Sequence, residues 1–367
     1  MNRFRRLLSI LIIIGLIVLA YFNQPWCKKQ INKVRGMYYV YQGDKQYRKH
    51  NTAVAIDKYK RALELYPEHY RAWYNLGNIY VVYEDYFSAV DSYEHALKYK
   101  PNFTLARMNL GIVLAEELGD FDGAIKQYDT ILKSKRSIFF IPFIFNNLRS
   151  TRINKGRAYY NRGLAYKQKA IYISDDIRHL SPNYLSNAIE SYKNALKFLK
   201  KDYDSTYNLA LAYHLSDDYK NAGKNYCNAI DISPMSYEAH YNLAILLREM
   251  KLYRASISEL EKAALLLSEG HGDFSRTSYV FDILNEVSKL LSVYNFDNHN
   301  AVGVYNHIGD GPVDYSEMDG YADTSYTSTV MVNGKIVATD DLDKAITKSF
   351  RSCPSLPAFE ENEYDKR

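Results

Sequence analysis

Five asparagines recur along this chain in one local setting. Asn75, Asn109, Asn161, Asn208 and Asn242 each stand two residues ahead of a small residue: Gly77, Gly111, Gly163, Ala210 and Ala244. A side-chain amide carries both a donor and an acceptor, so a column of them can bond the backbone of an extended peptide without demanding a sequence. Tyr74, Tyr160, Tyr207 and Tyr241 directly precede four of the five and would supply a flat apolar floor. In the competing reading the same amides serve the fold itself, because a buried amide must find a partner.

Other chemistry is missing where it would be sought. The chain has no GxSxG, GxxxxGK[ST], HExxH or GxGxxG. His299 and His307, with Asp297 and Asp310, lie in Gly- and Asn-rich sequence without a metal-ligand spacing and read as solvated loop. Cys27, Cys227 and Cys353 are odd in number and far apart, and form neither a metal pair nor a disulfide framework. No catalytic residue, metal or cofactor is expected, nucleic-acid motifs are absent, and the chain is read as no enzyme. The rival view puts an enzyme or metal site in the tail from Phe296 onward.

The asparagines must be positioned by helices, and those helices repeat. Tyr70 to Pro101 reads YRAWYNLGNIYVVYEDYFSAVDSYEHALKYKP, and Tyr203 to Pro234 reads YDSTYNLALAYHLSDDYKNAGKNYCNAIDISP. Trp73, Leu76, Gly77, Tyr80, Ala89, Tyr93, Ala96 and Pro101 follow in the order of a 34-residue helix–turn–helix signature. The chain thus resembles the tetratricopeptide repeat family, with units starting at Gly36, Tyr70, Thr104, Gly156, Tyr203 and Tyr237 and ending at Ser268. The resemblance implies an all-α fold, an α-solenoid of about six units whose first helices line a concave, peptide-binding face. Small residues would let the two helices of a unit cross closely, and Tyr or Trp would fill the gaps between successive units. Packing then accounts for a large part of the 36 tyrosines among 367 residues.

The repeats are similar to the peptide-binding superhelix of O-linked N-acetylglucosamine transferase. Barely 100 residues follow Ser268, too few for its catalytic region, so that activity is not carried over. Asn78, Asn109 and Arg157 match three columns of the co-chaperone clamp for C-terminal carboxylates, but Tyr74 and Asn161 stand where that clamp needs cations.

Residues 1–35 read as a membrane anchor and basic linker. Leu7 to Phe22 is apolar but for Ser9 and Gly15, with Arg3, Arg5 and Arg6 before it and Lys28 to Arg35 after it. Sixteen residues at 1.5 Å each make about 24 Å, just under a bilayer core. The expectation is one N-terminal transmembrane helix over about residues 7–22, single-pass, with the large domain on the exported side. The alternative is a signal peptide cleaved near Val18-Leu19-Ala20.

Two insertions interrupt the array of residues 36–268, near 134–155 and 167–187. The first holds Ile138 to Phe145, eight apolar residues that include Phe139, Phe140, Phe143 and Phe145. Exposed, it would suit a membrane interface or a hydrophobic partner; folded back, it would be extra core. The second would lengthen the fourth unit through Ile171, Ile173, Ile177 and Leu180. A capping helix is expected over 269–295, then an acidic, partly ordered tail over 296–367. That tail has 13 acidic and 6 basic residues, a balance of −7, which leaves +12 of the net +5 to the rest. Within it, Thr329–Val332 and Lys335–Ala338 flank Asn333-Gly334, a hairpin pattern.

Together these features point to a membrane-anchored scaffold that binds a protein or extended peptide. The alternative is a structural or assembly subunit that uses its convex face or the Ile138–Phe145 segment. Partners are protein or peptide, and the membrane through the N-terminal helix; no nucleic acid is expected.

Overall fold

The structure, a computed structural model, describes residues 10–18, 21, 24–134, 144–173, 181–299, 330–332 and 335–337. The chain divides into two compact units, Met1–Lys169 and Ala170–Arg367. The first contains α1 (Pro25–Arg48), α2 (Thr52–Leu65), α3 (Tyr70–Val82), α4 (Tyr86–Tyr99), α5 (Thr104–Ile112), α6 (Phe121–Lys133) and most of α7 (Ile144–Ile173). The second contains α8 (Pro182–Leu199), α9 (Tyr203–His214), α10 (Tyr219–Ile232), α11 (Tyr237–Glu249), α12 (Tyr253–Ser268) and α13 (Thr277–His299). Helices pack on their sequence neighbours in antiparallel pairs, which makes the fold an α-solenoid.

Local sequence sets the helix starts. The carboxylates of Asp85, Asp120, Asp202 and Asp218 accept the N–H three residues on, at 3.2, 2.9, 3.0 and 3.1 Å, and so cap α4, α6, α9 and α10. The turns inside the pairs pass through left-handed residues: His50, Glu84, Gly119, Asp217 and Lys251.

In the first three pairs the core is a tyrosine ring laid on a glycine. A Cβ built on Gly43, Gly77 or Gly111 would come within 2.7, 2.6 and 2.6 Å of the rings of Tyr59, Tyr93 and Tyr128. Those three rings, with Tyr192 and Tyr226, are fully buried beside alanines of zero exposure such as Ala55, Ala89 and Ala124. This corrects the expected role of these tyrosines: they close a pair from within. Filling between units falls to others, with Phe103 at 5.0 Å from both Tyr70 and Tyr74, and Trp73 Nε1 donating to Pro67 O at 2.8 Å. In the last pair, Ala244 and Leu260 occupy the two positions, and Ser256 Oγ donates to Ala244 O at 2.7 Å.

The third pair holds one residue more. Gly111 to Tyr128 is 17 positions, against 16 from Gly77 to Tyr93. The surplus is taken up by a π-helical turn over Val113–Glu117, where Leu118 N donates to Val113 O at 3.2 Å.

In the second unit α13 seals α12, with Val280, Leu284 and Val287 buried against Leu260, Ala263 and Leu267. His240, fully buried, contacts Glu259 Oε2 at 2.6 Å and Pro234 O at 3.0 Å, while Lys262 Nζ reaches Glu259 Oε1 at 2.7 Å. A buried charge needs such company. Strands β1 (Val330–Val332) and β2 (Lys335–Val337) pair antiparallel, Val330 opposite Val337 and Val332 opposite Lys335.

Several expectations change or fall outside what is described. Residues 144–155, read as insertion, belong to the 30-residue helix α7. Residues 135–143, with Phe139, Phe140 and Phe143, lie outside the described residues, and Phe145 is described only as backbone of α7; residues 174–180 and most of the tail, with His307 and Asp310, also lie outside. Cys27 is a buried free thiol, and Cys353 lies outside the described residues. Among the described residues, no helix is long and apolar enough to cross a membrane. Residues 10–18 are helical, but both ends of the expected 7–22 span lie outside the described residues.

The tyrosine–glycine contact yields a first prediction. Gly77→Ala gains up to about 1 kcal/mol of helix propensity, yet drives a methyl into a ring that is closed in on all sides. Net destabilisation of about 1–3 kcal/mol is expected, read as a lower urea midpoint at constant slope. Adding Tyr93→Leu, the Ala–Leu pairing of the last unit, should recover part of it.

Candidate peptide-binding face

The five asparagines all lie on the first helix of a pair: Asn75 on α3, Asn109 on α5, Asn161 on α7, Asn208 on α9 and Asn242 on α11. Their amide nitrogens have definite tasks. Asn75 Nδ2 donates to Asp44 Oδ1 at 2.9 Å and to Tyr59 Oη at 3.2 Å. Asn109 Nδ2 donates to Asn78 Oδ1 at 2.9 Å and reaches Tyr74 Oη at 3.5 Å. Asn161 Nδ2 meets Met108 Sδ at 3.3 Å. Asn242 Nδ2 donates to Tyr207 Oη at 2.7 Å and to Glu238 O at 2.9 Å. Asn208 differs: it is buried, and its amide donates to Asp204 O of its own helix at 2.9 Å.

The first two units share a polar node that sequence reading missed. Tyr59 Oη donates to Asp44 Oδ1 at 2.6 Å, and Tyr93 Oη donates to Asn78 Oδ1 at 2.8 Å. Each acceptor therefore takes the hydroxyl of its own pair's buried tyrosine and the amide of the next unit's asparagine. Burial, and for Tyr59 also the Asp44 carboxylate, pushes both phenols far above their ordinary value, so the hydroxyls remain donors. The available signal was that Asp44 and Asn78 are 34 residues apart. It ends there, because Ile112 and Leu211 hold the equivalent positions further on.

The tyrosine column is half-buried rather than a free floor. Tyr74 lies 6.0 Å from Tyr93, Tyr207 stacks on Tyr203 at 5.7 Å, and Tyr241 approaches Tyr279 at 6.1 Å. Tyr160 sits on α7, also half-buried. The amide carbonyls contrast with the amide nitrogens. Among the described residues, the Oδ1 atoms of Asn75, Asn109, Asn161 and Asn242 accept from no donor. Each is thus an acceptor held in a set orientation by its own nitrogen. Among the described residues, no group of three or more His, Cys, Asp or Glu side chains is placed to hold a metal ion.

Paired helices whose first members carry a repeating polar column define a helical-repeat array. Models of the tetratricopeptide repeat match residues 42–82, 70–103 and 203–234, so the chain carries tetratricopeptide repeats in both of its units. No curated relative matches it. Among solved structures it is similar to PilW, a type IV pilus biogenesis factor, at 14% identity over 68% of this chain and 98% of that one, with a TM-score of 0.47. It is similar to PilF of Pseudomonas aeruginosa at 15% identity over 65% and 91%, TM-score 0.46. YrrB, a repeat protein described as having an unusual peptide-binding site, matches at 22% identity over 53% and 85%, TM-score 0.38. None of these likenesses carries a ligand or partner over to this chain.

Lys167, six residues beyond Asn161 on α7 and about 120° around the helix from it, gives this helix a pH signature. Burial pushes its amine down to about 8 from an ordinary 10.5. The unfolded chain then holds more protons than the folded one between those values, so the lysine's penalty is full below about 8 and fades as pH rises toward 10.5. Lys167→Met should stabilise the protein at pH 7 by on the order of 1–2 kcal/mol. Thermal melts at pH 7 and 9.5 should find that advantage shrinking at the higher pH.

Proposed function

We propose that this protein is a membrane-anchored tetratricopeptide-repeat scaffold that binds an extended peptide segment of a partner protein along its first-helix face. The observation that carries the reading is the set of amide carbonyls on Asn75, Asn109 and Asn161 in the first unit, with Asn242 held in the same way within the second. Their nitrogens are anchored to neighbouring groups, so the oxygens are pre-oriented acceptors for the N–H groups of a peptide backbone. Such a binder works by recognition alone, and no bond is broken.

Anchoring rests on a separate observation. From Ile10 to Val18 every described side chain is exposed, and all but Gly15 are large and apolar. Nothing described in the protein covers this helix, which suits insertion into lipid.

The structure refines the choice of variant. Asn75→Ala, Asn109→Ala and Asn242→Ala remove three acceptors while sparing the buried Asn208. Each single change should cost about 1 kcal/mol of stability and about tenfold in partner affinity. Cross-linking and affinity purification from membranes, followed by mass spectrometry, compares the triple variant with the parent. Partners lost from a variant that keeps its helical circular dichroism are the expected result. An unchanged partner set would sink the proposal.

A further inference from the structure

Helix α1 turns an uncovered apolar stripe outward. Trp26, Val34, Met37, Tyr38 and Tyr41 are each at least half exposed, at 63, 66, 50, 58 and 58%, and Ile31 adds to them at 39%. At 100° per residue, Ile31, Val34, Tyr38 and Tyr41 fall within about 80° of arc. The opposite side carries Gly36, Val40 and Gly43, buried against α2. From Trp26 to Tyr41 the stripe runs about 22 Å along the helix.

Its charge surroundings are one-sided. The chain has no acidic residue before Asp44, while Lys28, Lys29, Lys33 and Arg35 lie on α1 itself. Lys28 and Arg35 border the stripe on one side and Lys33 lies beyond its other edge. Lys29 is occupied by Glu68 at 3.0 Å, and the Lys33 ammonium stands 5.5 Å over the Tyr66 ring. Lysines in the first turn oppose the helix dipole, and neither a first-turn acid nor a side-chain cap on Gln24 offsets them. An anionic surface would.

We infer that α1 lies flat on the bilayer and binds anionic lipid headgroups with this face. Resting on the anchored reading above, the inference specifies what the first helix does once the anchor is inserted. The stripe begins eight residues after the exposed apolar helix of residues 10–18, so an inserted anchor tethers it near the bilayer surface. One tryptophan and two tyrosines among its members suit that level, where their rings meet both hydrocarbon and water. An apolar stripe edged by lysine and arginine is the pattern of an interfacial helix. A second copy of the chain is a poorer occupant, because pairing the stripe with itself would bring like charges together.

The test uses the full-length protein reconstituted into vesicles of neutral phosphatidylcholine, or of the same lipid with roughly one-third phosphatidylglycerol. Flotation reports anchoring, and hydroxyl-radical labelling of Met37, Tyr38 and Tyr41, against Phe87 as reference, reports contact of α1. The expected result is flotation on both vesicles, with labelling of the stripe at least about fivefold slower on anionic lipid, the effect of one basic residue near such a surface. High salt, or Lys28→Gln with Lys33→Gln and Arg35→Gln, should remove that difference while flotation persists. Flotation with equal labelling on both vesicles overturns the inference and leaves the anchor standing. Protection that follows protein concentration rather than lipid charge also overturns it, in favour of a second copy. Flotation on anionic vesicles alone supports α1 and overturns the anchor, and flotation on neither overturns both.

Discussion

A tyrosine ring pressed on a glycine is the contact from which the rest of the architecture follows. At 2.6–2.7 Å from where a Cβ would sit, the rings of Tyr59, Tyr93 and Tyr128 leave no room for any larger residue on the facing helix. The contact fixes how closely the two helices of a pair approach. It also fixes where the hydroxyl emerges, because a buried ring has its polar tip at one end and that tip needs a partner. In the first two units the partner is Asp44 or Asn78, and the same oxygen receives the next unit's asparagine. Packing inside one pair is thereby linked to attachment of the next.

This arrangement joins the two readings of the asparagine column. An amide has two ends, and structure uses the nitrogen end at Asn75, Asn109, Asn161 and Asn242. Fixing one end removes rotational freedom from the other, and a fixed acceptor loses less entropy when a ligand arrives. A role in holding units together is therefore part of how such a residue is made ready to bind. Asn208 is the exception in being buried, although its nitrogen too is engaged, with Asp204 O.

The repeat register was legible because it is written in residues that must be small, aromatic or a turn former at fixed spacing. Gly77, Tyr93 and Pro101 each answer a local steric demand, so the pattern survives wherever the demand does. The pairing of Val330–Val332 with Lys335–Val337 was legible for the same reason, since strand-and-turn patterning is local. The polar nodes were not, because two instances, Asp44 and Asn78, make no column to notice. The buried His240 and Glu259 escaped because their pairing joins residues 19 apart on different helices, which no short pattern encodes. Helix α7 was hidden because residues 144–155, read as part of an insertion, are the first turns of a 30-residue helix.

The π turn at Val113–Glu117 bears on how such a chain can change over generations. One inserted codon in a helix ordinarily rotates every later side chain by about 100° and would turn a buried face outward. Here the surplus is spent inside a single turn, and Tyr128 still lands on Gly111. The array can thus accept single-residue length changes between its fixed contacts as well as whole-unit duplications. Divergence of individual units, seen in their unequal lengths, need not wait for compensating deletions elsewhere.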